Sequence, residues 1–170
     1  MPHPWPADDP ASLAAFYGEH QLKQDGLPTA GWEQANLTAF IAPYPMVLAW
    51  EPTRTVTRVR CHRKVAESLK GVLQGILDHY GSVAKVRAAG MHLYAGVYNY
   101  RRISGSGSLS THAWGAGIDL DPDHNGLGRR WEAGKGMMPE AVIALFEAEG
   151  WKWGGRFKKR PDPMHFQATQ

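Results

Sequence analysis

Between residues 63 and 80 the apolar positions Val65, Leu69, Val72, Leu73, Ile76, Leu77 and Tyr80 recur at spacings of three and four. That period predicts a helix with one buried face, and Gly81 stands where a helix C-terminal glycine belongs. Pro139 and Gly150 bracket a second helix that turns Val142, Ile143 and Phe146 inward. Residues 11–22 predict a shorter first helix, with Leu13, Phe16 and Leu22 as core contacts, and residues 24–42 predict loop with some helix. Elsewhere the period drops to two. Pro43 to Glu51 and Thr55 to Cys61 predict two short strands, with Pro52-Thr-Arg54 as the hairpin turn. Tyr94 to Arg101 predicts a strand that enters a Gly/Ser loop at 104–108. In Ile118-Asp119-Leu120, alternation sends the two apolar side chains to one face and Asp119 to the other. In a last strand, Met164 to Ala168, Met164 and Phe166 oppose His165 and Gln167. Two strands thus keep an apolar face for a core and a polar face for chemistry.

The chain has 170 residues, enough for one domain with a real core. A hydrophobic fraction of 43% and an aromatic fraction of 11% exclude disorder. Cys61 is the single cysteine, which excludes an intrachain disulfide framework and a cysteine-rich zinc finger. Any metal site must use histidine and carboxylates. The net charge of +3 suits an anionic partner such as a cell wall. The basic residues are scattered, however. The densest run, Arg156-Phe-Lys158-Lys159-Arg160, is too thin to indicate nucleic acid. The Pro-rich, acidic N-terminus lacks a secretory signal pattern, and no apolar stretch approaches a membrane span. The expectation is synthesis in the cytoplasm and a separate route to any outside substrate.

His112 and Asp119 lie seven positions apart, and Gly115 and Gly117 between them allow a turn that brings the carboxylate back beside the ring. With His165 they predict a three-ligand zinc site whose fourth position is open for water, as catalytic sites require. Asp162, three residues before His165, is a carboxylate placed to take that water's proton and return it to a leaving amine. Arg101 ends the strand before the Gly/Ser loop, and Arg102 beside it points the opposite way, as a solvated partner would. Either guanidinium can hold a substrate carboxylate or a developing oxyanion, and the sequence leaves the choice open. His3, His20, His62, His79 and His92 have no metal-like context. His124, in Asp121-Pro-Asp-His-Asn-Gly, reads as a surface turn, and Asp121 as a supporting or solvated carboxylate. Gly105-Ser-Gly107 lacks the pattern of a nucleotide loop, and Ser110 has no nucleophile elbow around it.

Ser110-Thr-His112-Ala-Trp-Gly115-Ala-Gly117-Ile-Asp119, followed by Asp162-Pro-Met-His165, resembles the D-alanyl-D-alanine carboxypeptidase and L-alanyl-D-glutamate endopeptidase family of zinc peptidases. This family includes vancomycin-resistance D,D-peptidases and many phage endolysins. Tyr98-Asn-Tyr-Arg101-Arg-Ile-Ser-Gly105 and Trp151-Lys-Trp153-Gly-Gly155 are similar to two further family segments, and the resemblance spans roughly residues 60–168. It implies a small α+β domain in which an antiparallel sheet carries the site and helices pack on it. Residues 1–60 are then an N-terminal extension on a 60–170 peptidase core. It also implies one Zn2+ per chain, Arg101 as the substrate-side arginine, and Ser110 and Trp153 as residues supporting ligand or substrate. Gly117 departs from the family's usual alanine, Met164 from its aromatic or proline, and Arg156-Phe157 from its Asp-Trp. The implied activity is hydrolysis of the peptidoglycan stem peptide, with the L-Ala–D-Glu bond favoured over terminal D-Ala–D-Ala. A non-catalytic zinc-stabilised wall-binding or virion module is a lower alternative. The expected protein is a monomer that reaches the wall through a partner holin or as a particle component, with no nucleic-acid partner.

Overall fold

A computed structural model describes residues 3–170. Helices α1 (Pro10–Tyr17) and α2 (Ala30–Asn36) precede a long hairpin of β1 (Leu37–Leu48) and β2 (Glu51–His62). Helices α3 (Ala66–Tyr80) and α4 (Val83–Ala88) follow, then β3 (Leu93–Tyr94), a 3-10 turn at Thr111–Trp114 and β4 (Gly117–Asp119). The chain ends with α5 (Glu140–Ala148), β5 (Lys152–Trp153), a second 3-10 turn at Gly154–Arg156 and β6 (His165–Gln167). The fold is α+β, with two three-stranded sheets ordered β2-β1-β3 and β4-β6-β5. The second sheet is antiparallel throughout. In the first, β1 pairs antiparallel with β2 and parallel with β3.

The long helix forms as its period requires. Leu69, Leu73 and Ile76 on α3 are fully buried, and Gly81 closes the helix at a φ of 74°. On α5, Val142, Ile143 and Phe146 are buried beneath Pro139 at the N-cap. Phe146 stacks on Phe166 of β6 with ring centroids 3.9 Å apart, tying the helix to the strand that carries His165. The same core takes in Trp5 from the segment before α1 and Leu13, Tyr17 and Trp32 from the first two helices.

Several predicted boundaries move. The first helix stops at Tyr17 because Gly18 adopts a φ of 97°; Tyr17 is buried in place of Leu22, which is 49% exposed. The segment 24–42 supplies α2 and the start of β1. The hairpin turns at Ala49-Trp50, and Pro52-Thr-Arg54 lies inside β2. Pro43 and Pro45 do not delay β1. They fall where its register shifts between Ile41 and Met46, a break that tolerates residues without an N–H. Of the predicted strand at 94–101, only Tyr94 is in one. Beyond it the backbone bonds to other partners, with Ala95 N donating to Asp119 O and Asn99 N to His112 O. That loss of regular pairing is what lets the segment line the site.

His62 links α1 to the hairpin. Its Nε2 lies 2.9 Å from the Tyr17 carbonyl and its Nδ1 accepts from Lys64 N. Burial drives its pKa down to about 4, against an ordinary value near 6.5. Above pH 6.5 the ring is neutral in folded and unfolded chains alike, and stability is unaffected. As pH falls from there toward 4, the unfolded state takes up a proton that the folded state refuses. Stability is then lost at about 1.4 kcal/mol per pH unit, about 3 kcal/mol in all. Thermal melts between pH 7 and 4 should show this decline, and His62→Gln should flatten it. An equal slope in the variant would assign the acid sensitivity elsewhere.

Candidate metal centre

His112 sits on the 3-10 turn, which Ser110 caps: its Oγ accepts from His112 N at 3.3 Å. Gly115 closes the turn at a φ of 69°, and a Cβ there would meet the backbone N of His62 at 2.9 Å. The chain therefore reverses at a position only glycine fits, and β4 returns Asp119 beside the ring. β6 pairs antiparallel with β4 so that Asp119 faces His165 in register. The apolar partners predicted for these strands, Ile118 and Phe166, are fully buried on the other side.

Three donor atoms converge. His165 Nδ1 lies 2.8 Å from Asp119 Oδ1, His112 Nε2 lies 3.2 Å from the same oxygen, and the two ring nitrogens are 3.2 Å apart. A tetrahedral ion with bonds of about 2.0–2.1 Å places its donors about 3.3 Å apart, so the triangle is the size zinc needs. The far side of each ring sets its tautomer. His112 Nδ1 is 2.8 Å from the Val97 carbonyl, and His165 Nε2 is 3.0 Å from Gln167 Oε1. Both oxygens only accept, so those nitrogens donate and the facing nitrogens present lone pairs. Gln167 is itself oriented, because its amide donates to Thr169 Oγ1 at 2.7 Å.

The electrostatics agree. Burial alone would raise the Asp119 pKa, yet the two histidines hold it well below the usual carboxylate range. Burial alone would lower the His165 pKa, yet Asp119 and Asp162 raise it. The site favours positive charge, and His112, Asp119 and His165 form the group that can hold a metal ion among the described residues.

Asp162 lies beside them on the loop between the second 3-10 turn and β6. Its backbone is pinned by Asp162 N to Gly154 O at 2.9 Å and His165 N to Asp162 O at 3.0 Å. Trp153 Nε1 donates to the Pro163 carbonyl at 2.8 Å and holds the same loop from beneath. The side chain is less settled: Asp162 Oδ1 is buried with no hydrogen-bond partner among the described residues. Burial pushes its pKa up to about 6, against the pull of His165 and, more weakly, His112 and Arg101. An unpartnered carboxylate oxygen with that affinity for protons is suited to general-base work.

A pocket of about 250 Å³ opens over these groups, lined by Arg101, Ser110, His112, Asp162 and His165 among others. Placement separates the adjacent arginines. Arg101 lines this pocket, whereas Arg102 binds the Gly107 carbonyl and lines a separate groove. His124 stays out, 60% exposed and paired with buried Asp121 at 2.8 Å. Val97, Thr169 and Thr111, whose Oγ1 lies 3.4 Å from His165 Nε2, were not expected at the site from the sequence. A carbonyl has no signature in sequence, and nothing in the motif marks the two threonines. The polar alternation of β6 did place Gln167 on the face of His165.

Gly117 proves more than a small departure. A Cβ there would meet Thr111 Oγ1 at 2.8 Å and His165 Cε1 at 2.9 Å. Gly117→Ala is expected to displace the His165 ring and weaken zinc binding by roughly 10-fold, the scale of disturbances to ligand orientation. Competition with a zinc indicator measures this, and wild-type affinity in the variant would show that the ring has room.

Residues 104–168 match the family model described as D-alanyl-D-alanine carboxypeptidase. The match covers the turn, β4 and β6 and agrees with the resemblance read from the motif over those residues; the similar segment at 98–103 lies outside it. No curated protein and no solved structure matches the chain. No described helix is long and apolar enough to cross a membrane.

Proposed function

We propose that this protein is a zinc-dependent peptidase of the peptidoglycan stem peptide. The observation that carries the reading is the convergence of two imidazole lone pairs and a carboxylate beside an unpartnered buried carboxylate. His112, Asp119 and His165 would hold the ion. Zinc there would supply Lewis acidity, making a water nucleophilic near neutral pH and polarising the scissile carbonyl. Asp162 takes the proton from the attacking water and delivers it to the departing amine. Arg101 holds a substrate carboxylate or the oxyanion that develops at the carbonyl. Ser110 and Trp153 position the ligand turn and the Asp162 loop.

The favoured bond is L-Ala–D-Glu. An open cleft of about 810 Å³, walled by Trp131, Trp153 and Arg156, shares Phe157 with the catalytic pocket. That neighbouring cleft offers room for the remainder of a longer substrate, which an internal cut requires. Removal of terminal D-Ala is the second reading, favoured by the description of the matching family. Mass spectrometry of muropeptides after incubation with the zinc-loaded protein separates the two. New D-Glu N-termini are expected; loss of a single D-Ala would make the protein a carboxypeptidase, and intact muropeptides would overturn both. A monomer released by a holin, or carried on a particle, fits this role. Fractionation during lysis should find it with wall or particles.

A further inference from the structure

The mouth of the catalytic pocket has two lips, distant in sequence. One is the 101–109 loop and the other the 157–162 segment, and a single side chain joins them: Arg160 Nη1 donates to Ser104 O at 2.9 Å across 56 positions. Arg160 therefore lines the same pocket as Arg101, His112, Asp162 and His165. Among the described residues the arginines in ion pairs are Arg60 and Arg156; Arg101 and Arg160 are in none. Asp8, the remaining acid of the pocket wall, is paired with Lys152. The pocket thus presents two guanidinium groups outside any ion pair among the described residues, Arg101 within the field of Asp162 and Arg160 with no acid beside it. Arg160 is exposed, and its one hydrogen bond, to Ser104 O, holds the guanidinium at the pocket mouth and leaves its other donors available. A pre-oriented fork loses little entropy on engaging a carboxylate, unlike a free surface side chain.

We propose that Arg160 is a specificity-determining residue that binds a second substrate carboxylate, the free α-carboxylate of the D-glutamyl residue after the scissile bond. The inference rests on the peptidase reading above and refines its substrate. A D-Ala–D-Ala terminus offers one carboxylate, which one arginine satisfies. A D-glutamyl residue linked onward through its γ-carboxyl keeps its α-carboxyl free beside the scissile amide, and the rest of the stem adds another. Two guanidiniums at one pocket match this second pattern. A stem whose D-glutamyl α-carboxyl is amidated would leave Arg160 without its partner.

The test uses the full-length zinc-loaded protein and two synthetic peptides, L-Ala-γ-D-Glu-L-Lys-D-Ala and the same peptide with the D-glutamyl α-carboxyl as carboxamide. The wild type is expected to favour the free acid by about 10-fold or more in kcat/KM, carried mainly by KM. Arg160→Gln should collapse that ratio toward one, and Arg160→Lys should restore part of it. If Arg160 only tethers the lips, the Gln variant slows both peptides equally and keeps the ratio, which overturns the proposal. Equal wild-type cleavage of both peptides also overturns it, while leaving the peptidase reading intact. Cleavage of neither peptide overturns the endopeptidase reading and this proposal with it; removal of a terminal D-Ala from D-Ala–D-Ala, a bond neither peptide carries, is read separately by the muropeptide experiment.

Discussion

Asp162→Asn is expected to bind zinc as the wild type does and to lose stem-peptide hydrolysis by a factor of about 10²–10⁴, the usual scale of a positioned general base. The amide fills the same volume. The loop that carries it is held by backbone bonds to Gly154 and His165 and by Trp153, none of which uses the carboxylate. The three donors that would hold an ion are on other residues. What the variant loses is the proton acceptor. The pH profile supplies a second readout. With its pKa near 6, Asp162 is charged, and able to accept, above that pH. A cation seated beside it favours the charged form and moves the value down. Wild-type kcat/KM should therefore fall with decreasing pH along a limb at or below about pH 6. At zinc concentrations that keep the proteins loaded across the profile, Asp162→Asn should have no such limb on its residual activity, and Asp162→Glu should keep one. Full activity in the Asn variant would remove Asp162 from the mechanism, whatever its zinc content.

How much of this was legible in the sequence depends on the range of the interactions involved. The α3 and α5 helices were, because their burial repeats every three to four residues and Gly81 and Pro139 mark their ends locally. His112, Asp119 and His165 were, because a motif with two glycines describes a local reversal and strand alternation says which side chains share a face. The lengths of β1 and β2 were not. Most of β2 is exposed, so it carries no hydrophobic alternation to read, and the prolines in β1 were tolerated at a register shift. Arg101 could not be told from Arg102 for a similar reason, since the segment before them is irregular and face alternation does not apply. Arg160 was invisible as a site residue because its role depends on a lip 56 residues away. Gly117 showed only as a departure from a pattern; its cause is the distance to a ring on another strand.

Removal of the ion is expected to have the second large effect, and on two quantities at once. A ligand bound only by the folded chain stabilises it by RT ln(1 + [L]/Kd), about 4 kcal/mol when free zinc exceeds Kd 1,000-fold. For a chain of 170 residues, that corresponds to a fall in Tm of roughly 10 °C on chelation. Hydrolysis should stop in the same titration and return when zinc is added back. His165→Ala separates the effects. It removes one donor and the ring that Gln167 and Asp119 hold, so it should neither bind zinc nor respond to chelator in its Tm. Acid should act in the same direction as chelation. The His165 pKa is raised by Asp119, so as pH falls a proton fills the place between them that the ion otherwise takes. Zinc affinity should therefore weaken toward low pH in the wild type. A chelator that lowers Tm without stopping hydrolysis would mean that the ion holds the fold together and another group does the chemistry. A chelator that stops hydrolysis without moving Tm would mean that the β4–β6 pairing and the Ser110-capped turn hold the three ligands in place before any metal arrives.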